Sequence, residues 1–130
     1  MPEAFGQHLA VDAAGCNSRI GDRGAIAAFA RDLVLAIDMK AYGEPWIEHF
    51  GHELPKTSGF TLVQLIETSN ITAHFCDHSG EAYFDVFSCK RFDETVALEV
   101  IDRHFAPARI IKHSMTRQAP TMDGVVRLAS

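Results

Sequence analysis

The chain has 130 residues, 47% of them hydrophobic and 22% charged, which suits one globular domain with a core that needs no disulfide staples. Its net charge is −5 and its 12 Lys and Arg residues are scattered, which argues against a nucleic-acid binder or a basic membrane patch. Cys16, Cys76 and Cys89 are odd in number, and the opening MPEAFGQHLA has neither the basic start nor the apolar segment of a secretory leader. Reduced thiols and a cytoplasmic setting are therefore expected.

Taken in order, Gln7–Ala13 alternates as a strand does and ends at the turn residues Gly15-Cys16-Asn17. Arg23–Met39 carries Ala25, Ile26, Phe29, Ala30, Leu33, Val34 and Ile37 at helical spacing, with Asp22 placed to cap it. Arg31, Asp32 and Asp38 interrupt this stretch, so it does not span a membrane. Pro45–Phe50 reads as a short strand and Leu54–Gly59 as a polar turn. Phe60–Thr68 is the strongest strand signal, and Asn70–Phe75 continues or pairs with it. After a turn at Asp77–Glu81, Ala82–Cys89 is a strand with Tyr83, Asp85, Phe87 and Cys89 on one face and Phe84, Val86 and Ser88 on the other. Phe92–Phe105 is a second helix capped by Asp93, and Arg109–Met115 is a last strand before a loosely held tail. This order predicts an α+β two-layer sandwich, with two helices packed on one face of a mostly antiparallel sheet.

Ser69, His74 and Cys89 put a hydroxyl, an imidazole and a thiol on neighbouring strands. Singly, each has a bland reading: a solvated serine, a packed histidine, a small buried thiol. A metal reading takes His74, Cys76 and His78, with His49 or His52 as a fourth ligand. It lacks a Cys-x-x-Cys pair or a His-Glu-x-x-His helix, and the turn before His78 spoils the shared face, so no metal is expected. A hydrolase triad lacks the Gly-x-Ser-x-Gly elbow.

The spacing Ser69-x4-His74-x14-Cys89, closed by Asp85-Val86-Phe87-Ser88-Cys89, resembles the S-adenosylmethionine decarboxylase proenzymes of the short prokaryotic type. Gly6-x-His8-Leu9-x-Val11-Asp12-x-x-Gly15-Cys16 is similar to that family's opening strand, and the likeness runs over residues 5–117. The resemblance implies a carboxy-lyase of polyamine synthesis that makes its own pyruvoyl cofactor. Ser69 would attack the carbonyl of Thr68, splitting the 1–130 domain into 1–68 and 69–130, with 117–130 as the tail. His74 would move the proton in this processing, since an imidazole titrates near neutral pH. The pyruvoyl ketone would take the substrate amine as a Schiff base, and Cys89, expected beside His74, would return a proton after carbon dioxide leaves. A homodimer acting on a small molecule is implied, without nucleic acid or membrane partners.

The chain departs from the family pattern at the substrate. Thr68 stands where the family has Glu, with Glu67 one place earlier, and His78 stands where a carboxylate grips the ribose, with Asp77 adjacent. Phe50 or Phe60 is the candidate for stacking on adenine. S-adenosylmethionine is the first substrate choice. A site without its ribose anchor would instead suit ornithine or arginine, with Asp77, Glu81 or Glu53 facing the distal cation. A non-catalytic regulatory paralogue or a metal-binding protein is the reading from another class.

Overall fold

The computed structural model describes residues 4–123. Six strands and two α-helices follow one another as β1 (Gly6–Ala14), α1 (Arg23–Ala36), β2 (Trp46–Phe50), β3 (Gly59–Ile66), β4 (Ser69–Phe75), β5 (Ala82–Ser88), α2 (Glu94–Phe105) and β6 (Arg109–Arg117). A single 3-10 turn, Ser18–Gly21, precedes α1. The strands form one antiparallel sheet in the order β2-β3-β4-β5-β1-β6. Both helices lie on one face, which makes the expected α+β two-layer sandwich.

Alternation along the strands sets the two faces. Leu9, Val11, Leu62, Ile71, Phe84 and Val86 point to the helices and are buried. Ile26, Phe29, Leu33, Val100, Ile101 and Phe105 meet them from α1 and α2. Four fully packed rings, Phe29, Phe75, Phe84 and Phe105, form the centre, with centroids 4.9–5.9 Å apart. Each buried ring removes a large apolar area from water and gains edge-to-face contact besides.

The caps read from sequence are in place. The Asp22 carboxylate accepts from the Gly24 and Ala25 amides, and Asp93 accepts from Thr95 and Val96. α1 stops at Ala36 rather than Met39, because Asp38 turns left-handed (φ 59) and the Met39 amide closes back on the Val34 carbonyl. α2 begins at Glu94, two residues later than expected, since the Asp93 cap fixes the first turn there. β6 runs two residues beyond Met115, because Thr116 and Arg117 still pair with Gln7 and Gly6. The expected tail therefore starts after Arg117, and its last seven positions, 124–130, lie outside the described residues.

The opposite face of the sheet has no helix over it. Trp46, Phe50, Leu65, Tyr83, Ile111 and Met115 stand on it, each 40% or more exposed. Among the described residues no helix is long and apolar enough to cross a membrane, and all three cysteines are free.

Candidate active site

The β3–β4 hairpin has a two-residue loop, Glu67-Thr68, and Ser69 is the first residue of β4, paired with Ile66 on one side and Ser88 on the other. The Thr68–Ser69 peptide thus lies where the hairpin turn meets the end of β5. Its carbonyl is held: the Cys89 amide donates to the Thr68 oxygen at 3.1 Å. The Thr68 hydroxyl accepts from Ser88 Oγ at 2.8 Å and donates to the Met39 sulfur at 3.3 Å. Met39 is brought under the turn by the left-handed exit of α1 at Asp38. The Ser69 hydroxyl accepts from the Asn70 amide at 3.2 Å, and Ser69 is half-buried. Glu67 is exposed at the loop tip, and its amide donates to the Lys40 carbonyl at 2.9 Å.

Cys89 follows β5 directly and is exposed on the open side of the sheet. It lies opposite Thr68, not beside His74 as the sequence reading expected. The β4–β5 register pairs His74 with Tyr83, six residues before Cys89. Ser69 and His74 are five residues apart on one extended strand, so about 17 Å separates them, and they project from opposite faces. One protomer therefore assembles two clusters, Thr68-Ser69-Cys89 at one end of the sheet and His74 at the other.

The His74 cluster contains a residue that sequence spacing did not single out. Thr61 on β3 lies directly across from His74, and its Oγ1 is 2.7 Å from the imidazole Nδ1. This hydrogen bond fixes the ring on the open face and decides which ring nitrogen is free. Phe50, at the end of β2, is tilted over His74 with centroids 6.5 Å apart. Asp77 and His78 are at this same end, in the turn after β4. Of the four weaker substrate candidates, only Glu67 thus sits beside Ser69. Glu81 accepts from the Tyr83 hydroxyl, and Glu53 is exposed in the β2–β3 loop.

Cys76 and His78 follow the last residue of β4, so the alternating His74-Cys76-His78 face does not form. Burial raises the pKa of Cys76, with the nearby Glu81 carboxylate adding to the shift. Burial likewise raises that of Cys16. Both thiols are thereby kept from the reactive thiolate form.

Beside Cys89 lies a cleft that the sequence did not announce. Phe5 and Phe87 stand 6.2 Å apart on the open side, and the Arg117 guanidinium lies 4.7 Å above the Phe87 ring. With Gln118, Ala119 and Pro120 they line a cleft of about 530 Å³. Phe5 also shares a small hollow with Cys89 and Arg91. Gly6 makes room for this arrangement, since a Cβ there would sit 2.7 Å from the Phe87 ring. The glycine of the opening motif therefore belongs to the site.

The comparisons with known proteins agree with this architecture. The family model for S-adenosylmethionine decarboxylase matches residues 7–118. The fold matches the crystal structure of the adenosylmethionine decarboxylase from Aquifex aeolicus VF5 with a TM-score of 0.76. That match has 22% sequence identity and covers 96% of this chain and 100% of that one. No curated protein matches the chain. The fold and the family match together place the chain among the carboxy-lyases. It belongs to the S-adenosylmethionine decarboxylase family.

Proposed function

We propose that the chain is a self-processing, pyruvoyl-dependent decarboxylase of polyamine synthesis that acts on S-adenosylmethionine as a cytoplasmic homodimer. The observation that carries this reading is the hydrogen bond from the Cys89 amide to the Thr68 carbonyl. The carbonyl that Ser69 must attack already faces a backbone donor at 3.1 Å, which suits the negative charge that develops on that oxygen. The Ser69 hydroxyl adds to the Thr68 carbonyl, and the amide becomes an ester as the Ser69 nitrogen is released. Loss of the Ser69 α-proton expels the Thr68 carboxylate and leaves a dehydroalanine. Water then replaces its nitrogen, ammonia departs, and a pyruvoyl group heads the 69–130 fragment. Ser69 fits as the precursor: it is half-buried, and among the described residues only the Asn70 side chain engages its hydroxyl.

The α-proton needs a base, and His74 of the same protomer is about 17 Å along the strand. A second copy solves this. When two open faces pack with their ends exchanged, His74 and Thr61 of one protomer come to the open-face side of the Thr68–Ser69 backbone of the other. Phe50, Asp77 and His78 travel with them, which would gather the dispersed substrate candidates at one site. The exposed Trp46, Leu65, Tyr83 and Met115 on that face give such a pairing apolar surface to bury.

The pyruvoyl group supplies the carbonyl that takes up the substrate amine and the electron sink for loss of carbon dioxide. The chain supplies the rest. Cys89 adjoins the cut and offers a thiol proton to the carbon left by decarboxylation. Phe5 and Phe87 offer flat apolar rings suited to a nucleobase. The family match favours S-adenosylmethionine over ornithine or arginine. Carbon dioxide release from S-adenosylmethionine, and not from ornithine or arginine, is the expected result. Release from a basic amino acid alone would overturn the substrate assignment.

A further inference from the structure

Ser88 takes no part in the chemistry described above, yet its hydroxyl is fully buried. A hydroxyl is costly to bury unless its hydrogen bonds are made, so their destinations matter. Ser88 is the last residue of β5 and lies directly across from Ser69. Its side chain nevertheless bonds to the residue before. Ser88 Oγ accepts from the Lys90 amide at 3.0 Å and donates to Thr68 Oγ1 at 2.8 Å. The Met39 sulfur lies closer to Thr68 Oγ1, at 3.3 Å, than to Ser88 Oγ, at 3.7 Å, so it takes the Thr68 hydrogen. Either orientation of the two hydroxyl hydrogens ties the two oxygens together. The next amide along, that of Cys89, donates to the Thr68 carbonyl at 3.1 Å. Residues 88–90 thus hold Thr68 at two points, its side chain and its carbonyl.

On the reading that the chain cuts itself between Thr68 and Ser69, we propose that Ser88 is a positioning residue for that cut. Its hydroxyl fixes the Thr68 side chain, and through it the plane of the carbonyl that Ser69 attacks. Threonine is branched at Cβ, so few χ1 wells are open to it, and the backbone angles decide which are allowed. Pinning Thr68 Oγ1 between Ser88 and Met39 therefore restricts the backbone of Thr68 as well. Attack needs the reacting atoms about 3–3.5 Å apart and aligned, and a carbonyl free to swing spends less time in that geometry. Ser88 itself forms no bond and moves no proton in the step.

The test is the rate at which newly translated full-length chain is cut, followed on gels, for wild type, Ser88→Ala, Thr68→Val and the double variant. Ser88→Ala is expected to slow the cut about tenfold to a hundredfold. Thr68→Val keeps the carbonyl and the branched shape but lacks the hydroxyl, and slows the cut similarly. In the double variant the two losses do not multiply, because both changes remove the same contact. Ile101→Val, a change in the core of α2, lowers the melting temperature and leaves the cutting rate unchanged. Melts of the same changes made in the uncut Ser69→Ala chain show whether each variant folds. Thr68 is half-buried, so Thr68→Val decides the matter if Ser88→Ala does not fold. A folded Ser88→Ala or Thr68→Val chain cut at the wild-type rate, losses that multiply, or an equal slowing by Ile101→Val would overturn the role of Ser88 and leave the cleavage reading standing. A wild-type chain that stays whole would overturn both.

Discussion

Cys89 has two duties that a single substitution separates. Its backbone amide holds the Thr68 carbonyl, and its side chain faces the open side of the sheet. Cys89→Ala keeps the amide, so the variant is expected to cut itself while its turnover falls about a hundredfold or more. Mass analysis and carbon dioxide release check the two halves of that outcome. Equal loss of both would show that the thiol belongs to processing. Thr61 is a positioning residue for His74, so Thr61→Val should slow the cut while Thr61→Ser, which keeps the hydroxyl, restores it; a time course on gels decides. Ser69, His74 and Cys89 stood out in sequence as candidates because their types and spacing are uncommon together. Thr61 was not, because it is thirteen residues from His74 and meets it only through the β3–β4 register. The β4–β5 register removed Cys89 from His74 and set it against Thr68. Spacing along a chain says nothing about which end of a hairpin a residue reaches.

At the scale of elements, α1 and α2 are joined by Asp32, which accepts from Arg103 Nη2 and pairs with His104 Nε2, both at 2.8 Å. The hydrogen bonds from Arg103 and then His104 hold the Asp32 carboxyl below its usual pKa. A carboxylate with a depressed folded pKa stabilises the protein above its unfolded value of about 3.9. That stabilisation is lost as pH falls through the lower folded value. Asp32→Asn should therefore melt earlier than wild type at neutral pH, by about 1 kcal/mol or less because the pair is partly exposed. The gap should close as the pH falls well below 4, which thermal melts across that range measure. A gap that persists at the lowest pH would assign the effect to packing. Helix faces and both N-caps were readable from the 3.6-residue period and the Asp residues. The C-terminus of α1 was not, because the apolar pattern runs on through Ile37 and Met39 while the backbone has already turned at Asp38. That early exit is what sets Met39 beneath Thr68 and so ties the helix to the Thr68-Ser69 turn.

For the whole molecule, alternation along the strands marked their two faces, but strand order was not legible, since β1 enters the sheet between β5 and β6 rather than beside a sequence neighbour. The open face was harder to read, since exposed Trp46, Tyr83 and Met115 look like ordinary surface residues until the sheet brings them together. A shared site follows if that face pairs with a copy of itself. Coexpression of distinguishable His74→Ala and Ser69→Ala chains tests this. The Ser69→Ala chain can lend its His74, so His74→Ala chains should be cut in the mixture and not alone. No cutting in mixed dimers would place the base within one protomer. The most direct test of the central claim is the intact mass of the purified wild-type chain with and without a carbonyl-trapping hydrazine. Fragments divided between Thr68 and Ser69 are expected, with the hydrazine adduct on the later one, and a single uncut chain for Ser69→Ala. A wild-type chain that remains whole and takes up no hydrazine would contradict it.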